Sequence, residues 1–117
     1  MITLRETVNN MRQRPEHATL ALMDFVDDFR RRRDLAAISE PFSLEHERFD
    51  AMAASTAERL CDEIGAPPPS WRADVPACTH PWFVSGLESL KAIAIVESPA
   101  RFRVRKIFVL ENFLSRA

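Results

Sequence analysis

The sequence predicts a mainly α fold: a compact helical domain with a proline-rich wrapping segment and a short C-terminal β-hairpin or strand. Helical apolar spacing before residue 65, five of the eight prolines between residues 66 and 81, and an alternating basic run near the C-terminus support this. A chain of 117 residues has the length of one domain. We therefore expect a single domain 1–117, with a helical core (1–65), a proline-rich segment (66–81) and a C-terminal helix or strand element (82–117).

Two helices are predicted before residue 35. Thr3 and Glu6 match the Thr-x-x-Glu capping box, so the first helix is expected to begin at Thr3 and to end at about Arg14. Pro15 disfavours helix in the residue before it and suits the first turn of a second helix. The apolar face of this second helix repeats at 0, +3, +4 and +7 through Leu22, Phe25, Val26 and Phe29.

A third helix is predicted after a break at residues 39–41. Ser43 is expected to cap this helix, which should run to about Ile64. Gly65 follows at the position where helices often end in the left-handed conformation. One stripe of the helix carries Phe49, Met52, Ala53, Thr56, Leu60 and Ile64.

The charge distribution argues against a general nucleic-acid or membrane-surface binder, because the net charge is −1. Residues 1–65 carry 9 basic and 13 acidic side chains, whereas residues 66–117 carry 7 basic and 4 acidic side chains. The Arg30–Arg33 run follows Asp27 and Asp28 by about one helical turn. We interpret this run as a solvated, self-paired helix face rather than a nucleic-acid patch.

The segment APPPSWRADVPACTHP, residues 66–81, cannot form a regular helix. Its first prolines favour polyproline II and present Trp71 on an extended arm, and Trp82 and Phe83 follow. These aromatic side chains either pack over the helical core or contact a partner. Wrapping is favoured for a single domain, since large exposed aromatic side chains are costly in a monomer.

Residues 91–110 fit two structures. A β-hairpin could turn at Glu97–Ala100, placing Phe102 and Val104 on one face and three guanidinium groups on the other. Alternatively, a helix could begin with Ser98 as its cap and Pro99 in its first turn. We expect at least one short strand here. A short helix over 111–116 should then close the chain, with its apolar side chains directed inward.

No residues show a pattern typical of catalysis or metal binding. The candidate groups are His17, His46, His80, Cys61 and Cys78. Their spacing along the chain matches neither a metal site nor a nucleophile–base pair. Only two glycines occur, so glycine-rich phosphate loops are excluded. The sequence therefore predicts a non-enzymatic protein without cofactor or metal. Both cysteines are expected to be free thiols in a cytoplasmic protein, and no apolar run is long enough to span a membrane.

The last 22 of the 117 residues, VESPARFRVRKIFVLENFLSRA, carry a family resemblance. The pattern V-E-S-P-x-x-F-R-x-R-x-I-F-V-x-x-N-x-L-x-R-A is similar to the C-terminus of a group of small, poorly characterised bacterial proteins. These resemble antitoxin-like companions encoded beside nucleotidyltransferase-type partners. The resemblance implies a partner-binding role, and no active site accompanies it.

These observations lead to one leading hypothesis and one alternative. The leading hypothesis is a protein-binding module, an antitoxin-like companion that neutralises or assists a cognate bacterial enzyme. Its expected contact residues are Trp71, Trp82, Phe83, Arg101, Arg103, Arg105 and Lys106, because aromatic and arginine side chains dominate interface energies. The alternative is a nucleic-acid-binding transcriptional regulator that uses the Arg101–Lys106 basic stripe. The sequence is also compatible with a homodimer.

Overall fold

The computed structural model describes residues 1–115, and the predicted mainly α fold is confirmed. The helices of these residues are α1 (Leu4–Gln13), α2 (Ala18–Arg32), α3 (Glu47–Ile64), α4 (Lys91–Glu97) and α5 (Ala100–Arg103). Short 3₁₀ turns lie at Pro15–His17, Leu35–Ala37, Ser70–Asp74 and Glu88–Leu90. Strands β1 (Trp82–Phe83) and β2 (Ile107–Phe108) form a short parallel pair.

Helices α1, α2 and α3 pack together and enclose most of the core. The capping box predicted for α1 is present, because Thr3 Oγ1 accepts the Glu6 N–H at 3.2 Å and Glu6 Oε1 accepts the Thr3 N–H at 2.8 Å. Pro15 opens a 3₁₀ turn that leads into α2. The four apolar residues predicted to share one face of α2 are all buried.

Helix α3 begins later than predicted. Its N-cap is His46, whose Nδ1 accepts the Phe49 N–H at 3.2 Å, and not Ser43. The side chain of Asp50 accepts the N–H groups of Glu45 and His46 at 2.8 and 3.0 Å. Because Asp50 binds the N–H groups of Glu45 and His46, these two residues stay outside the helix, and α3 begins at Glu47. The helix ends as predicted, with the following glycine at φ 67°.

The proline-rich segment wraps over the helical core, as expected. Trp71 is buried, its indole N–H donates to the Ile38 carbonyl at 2.9 Å, and its ring meets Phe42 edge-on at 5.1 Å. Val75 and Cys78 are also buried farther along the segment. Both cysteine thiols are free and buried, and this burial raises their pKa values.

The C-terminal part combines the two structures considered for residues 91–110. Helices α4 and α5 occupy most of this range, and the expected short strand is β2. The hairpin does not form, because β2 pairs in parallel with β1, which lies upstream of residue 91. Residues 111–114 form a turn where a short helix was predicted, and residue 116 lies outside the described residues.

The alternation expected for residues 101–105 is not found. Pro99 caps a helical turn instead, so Phe102 is buried while Val104 is 70% exposed. Arg105 points into the interior rather than to the solvent. Within residues 1–115, no helix is both long enough and apolar enough to cross a membrane.

Candidate partner-binding surface

Helix α4 leaves most of its apolar side chains in the solvent. Of its seven residues, Ala94 alone is buried. Ile93, Ile95 and Val96 are 45%, 49% and 77% exposed. At about 100° of rotation per residue, these three side chains and Ala92 fall within one arc of about 160°. An apolar helix face normally covers a core, so this arc is an unpartnered apolar surface.

The N-terminal end of α4 lies beside Phe83, one of the predicted contact residues. The Lys91 ammonium is 5.2 Å from the centre of the Phe83 ring and 2.9 Å from a carboxylate oxygen of Glu88. On its other side, Phe83 stacks on Phe108 at 5.0 Å, across the two paired strands. Phe83 is half-buried, so part of its ring is exposed beside the N-terminal end of α4.

The C-terminal end of α4 carries charges of both signs, since Glu97 is its last residue and Arg103 binds its C-cap. Arg103 Nη2 donates to the Ser98 carbonyl at 2.6 Å, and Ser98 is the C-cap of the helix. A cation at this position stabilises the helix through its dipole. Since Arg103 is otherwise exposed, its guanidinium group adds a basic edge to the apolar surface.

An open groove of about 680 Å³ runs along one side of α4. Leu90, Ile93 and Leu110 supply apolar walls, and Arg59 enters the groove from α3. Among residues 1–115, the Arg59 guanidinium forms no ion pair. The groove therefore combines apolar side chains with charged ones, as protein-binding surfaces commonly do.

Three of the predicted contact residues are buried or form ion pairs within the protein itself. Trp71 belongs to the core, as described above. Arg105 is buried against Glu58, and Arg101 donates from Nε and Nη2 to the two carboxylate oxygens of Asp62 at 3.0 Å each. The continuous basic stripe expected at residues 101–106 is therefore not formed. Its exposed members are Arg103 and Lys106.

Trp82 contacts one cation through its ring and the backbone of β2 through its own backbone. The Arg48 guanidinium is 5.4 Å from the centre of the Trp82 ring, and the backbone N–H of Trp82 donates to the backbone carbonyl of Lys106, just before β2, at 2.8 Å. Sequence reasoning missed Arg48, because it belongs to a charged helix face and lies 34 positions from Trp82 in the chain. It also missed the exposure of α4, whose apolar run AIAIV resembles a buried element.

Several of the groups considered for catalysis or metal binding have structural partners or pKa values that disfavour such a role. Among residues 1–115, no cluster of three histidine, cysteine or acidic side chains could hold a metal. His46 is occupied as a helix cap. The Glu47 carboxylate accepts the Thr79 hydroxyl at 2.5 Å and the Thr79 N–H, and these bonds lower its pKa. Cys61 and Cys78 have raised pKa values, which disfavours the thiolate needed for nucleophilic chemistry.

No known protein-family model, curated protein or solved structure matches this chain. Its surface chemistry therefore supplies the basis for assigning a function. The most distinctive part of that surface is α4, with Phe83 at one end and Arg103 at the other.

Proposed function

We propose that this protein is a non-enzymatic protein-binding module that inserts α4 into an apolar groove of a partner protein. One observation carries the proposal: α4 exposes Ile93, Ile95 and Val96 while burying a single alanine. Insertion of an apolar helix into a groove is a recurring recognition mode, with anchors spaced three or four residues apart. Ile93 and Val96 have this spacing.

Two cations that follow α4 would face acidic residues at one edge of the partner's groove. Arg103 lies at the C-terminal end of α4, and Lys106 follows in the next turn. Both are exposed, and neither forms an ion pair with any residue between 1 and 115. Acidic residues on the partner would steer its approach and fix the orientation of the helix.

The resemblance of the C-terminal segment suggests the kind of partner. We propose an antitoxin-type companion that neutralises or assists a cognate enzyme, with a nucleotidyltransferase-type toxin as the first candidate. Burial of α4 by the enzyme would remove exposed apolar surface from water, which favours association. The docked helix would either mask the active site of that enzyme or order it, depending on where the groove lies.

Affinity capture with matched variants tests the proposal. Replacing Ile93 and Val96 together with alanine removes both anchors but should leave the fold intact, because Val96 is 77% exposed and Ile93, at 45%, lies outside the buried core. Loss of a well-packed anchor costs about 2 kcal/mol, or about thirtyfold in affinity. Leu20→Ala, at a site on α2 that is 56% exposed, is the control.

The expected result has two parts. A protein captured by the wild type and by Leu20→Ala should be absent from the double-variant capture. The same purified protein should bind the wild type at least tenfold more tightly than the double variant. Equal binding by all three proteins would contradict the proposal. Light scattering that showed a dimer for the wild type and a monomer for the double variant would also contradict it, because α4 would then be covered by a second copy of the chain.

Nucleic-acid binding is the second candidate function, favoured by the exposed cations Arg48, Arg103 and Lys106. It is the weaker candidate, since Arg101 and Arg105 are engaged by carboxylates and the net charge is −1. Binding to DNA would show a steep loss of affinity with salt. A measured slope near zero dismisses this function.

A further inference from the structure

We infer that a cavity beneath α4 binds a small uncharged ligand that has one ring and one hydrogen-bonding group. The cavity measures about 260 Å³ and lies between α4, the paired strands and the N-terminal part of α2. Apolar side chains form most of its wall: Val84, Ala94, Phe108, Val109, Leu110 and Phe113. Ala94 is the buried residue of α4, so the cavity lies on the opposite side from the exposed apolar arc. The inference therefore does not depend on the function proposed for that arc.

Two phenylalanine rings give the cavity a preformed wall. Phe108 stacks on Phe83 with 5.0 Å between the ring centres, and Phe113 meets the buried Phe102 edge-on at 6.2 Å. Each lining ring is therefore held in place by a second ring. Phe108 and Phe113 are only half-buried, so part of each ring is not covered by the protein itself. A ligand ring in the cavity would cover this apolar surface, which favours binding.

The polar groups of the cavity are hydroxyls. Thr19 and Ser85 complete its lining, and both residues are exposed, so their hydroxyl groups lie at its mouth. None of the eight described residues that line the cavity is charged. Ser85 Oγ accepts the Leu87 N–H at 3.3 Å, whereas the Thr19 hydroxyl forms no hydrogen bond within residues 1–115. Thr19 is therefore the group that would bond the polar atom of the ligand, and a charged ligand would find no counter-charge.

The volume of the cavity sets the size of the ligand. An engineered apolar cavity of about 150 Å³ stays dry and binds benzene. In proportion, a cavity of about 260 Å³ holds about ten non-hydrogen atoms. Pockets for drug-sized ligands begin at about 300 Å³. A single ring with a short polar substituent therefore fits the cavity, and a larger molecule does not.

A second groove has a similar volume but a different lining. It measures about 270 Å³ and is formed by Leu35, Ile38, Ser39, Pro67, Pro69 and Ser70. These described residues are also uncharged, but none of them is aromatic. The groove lacks the ring-on-ring support found beneath α4, so it serves as an internal control for where a ligand binds.

Chemical-shift titration of the full chain by ¹H–¹⁵N NMR tests the inference. The probes have similar sizes and different charges: benzyl alcohol, benzoate and benzylamine. The amide signals of Ala94, Val109 and Phe113 should shift in a saturable manner with benzyl alcohol, whereas those of Leu35 and Ser70 should stay fixed. Benzyl alcohol should bind at least tenfold more tightly than either charged probe, because burial of an unpaired charge is costly.

Substitutions at three positions locate the binding site. Ala94→Leu places a larger side chain in the cavity and should abolish binding of benzyl alcohol. The added atoms enter empty space, so the melting temperature should stay the same or rise. Ala92→Leu, at an exposed position of the same helix, is the matched control and should bind as the wild type does. Thr19→Val should weaken binding of benzyl alcohol about fivefold, the effect of one hydrogen bond, and leave binding of toluene unchanged.

Any of five results would overturn the inference. Three concern the probes: no saturable shift with benzyl alcohol, shifts centred on Leu35 and Ser70, or tighter binding of a charged probe. The fourth is an Ala94→Leu variant that retains binding or unfolds, since the cavity would then not exist as described. The fifth is an equal loss of binding in Ala92→Leu. The Ile93/Val96 double variant should bind benzyl alcohol normally, so failure of the partner-binding proposal would be distinguished from failure here.

Discussion

Arg105 and Glu58 form an ion pair inside the protein, with 8% and 2% of their side chains exposed. Arg105 also donates to the carbonyl of Arg72 at 2.9 Å, and Arg72 Nη1 donates to the second oxygen of Glu58 at 3.0 Å. This network joins α3 to the proline-rich segment and to the turn after α5. The Arg105 guanidinium therefore links the C-terminal part of the chain to the helical core, although Arg105 belongs to the basic run of the sequence.

Glu58→Gln should be one of the most destabilising polar substitutions in this protein. It leaves the buried Arg105 guanidinium without its counter-charge, which costs about 3–5 kcal/mol in comparable buried pairs. Urea unfolding measures the change. Glu63→Gln is the matched control, because Glu63 pairs with Arg30 at a site where both side chains are about one-third exposed; its cost should be about 1 kcal/mol or less. Equal costs for the two variants would show that the buried network contributes little.

Trp71 should behave as a core residue rather than as a contact residue. Trp71→Phe removes the donor to the buried Ile38 carbonyl and should cost about 1–3 kcal/mol. Trp71→Ala should cost about 3–5 kcal/mol through the cavity it leaves. The half-buried Trp82 supplies the comparison, since Trp82→Ala should cost clearly less in thermal or urea unfolding. A larger cost at Trp82 would reverse this assignment.

Ser98 should contribute to stability through its side chain. The buried Ser98 Oγ donates to the Ile107 carbonyl at 3.0 Å and accepts the Val109 N–H at 3.1 Å, so it joins the end of α4 to β2. Ser98→Ala leaves both backbone groups unsatisfied and should cost about 1–3 kcal/mol of unfolding free energy. Ser89→Ala, at an exposed serine, should be nearly neutral. Equal stability of both variants would contradict this role.

Stability should fall in acid partly through Asp28. The Ile2 N–H and then Arg32 lower the pKa of this carboxyl from 3.8 to about 2. Because the folded state holds the proton less tightly than the unfolded state, the stabilisation is complete above about pH 4 and is lost as the pH falls towards 2. Asp28→Asn should therefore be less stable than the wild type at neutral pH, and the difference should shrink in acid.

A pH series of urea unfolding curves checks the Asp28 prediction. Asp74→Asn is the control, because Asp74 is exposed and forms no ion pair with residues 1–115. This control should follow the wild-type pH dependence throughout. A constant difference between wild type and Asp28→Asn from neutral pH down to about pH 2 would show that Asp28 titrates normally.

Local signals accounted for the helical half of the fold. The capping box at Thr3 and the left-handed Gly65 each depend on residues within one or two turns, so the sequence displays them directly. The start of α3 was misplaced because Asp50, within the helix, satisfies the preceding backbone better than Ser43 does. A cap assigned from residue type alone cannot show this competition.

Long-range pairing explains why the arrangement of the C-terminal residues was only partly predicted. Arg105 is buried because it meets Glu58, which lies 47 positions earlier, and no neighbouring residue signals this contact. The apolar run of α4 is compatible with a strand or a helix, and neither pattern reveals that the element lies on the surface. Phe83 and Arg103 were named as contact residues from residue type, and the structure places them at the two ends of α4. Their contact with a partner stays a prediction.

Site-specific photo-cross-linking tests the central claim about α4 most directly. A benzophenone amino acid at Val96, which is 77% exposed, would lie within the proposed contact, whereas one at Leu20 would lie outside it. In extracts of the native cell, the Val96 probe should cross-link to one protein that is not a second copy of this chain, and the Leu20 probe should not. Cross-links from both positions alike, or none from Val96, would contradict the account.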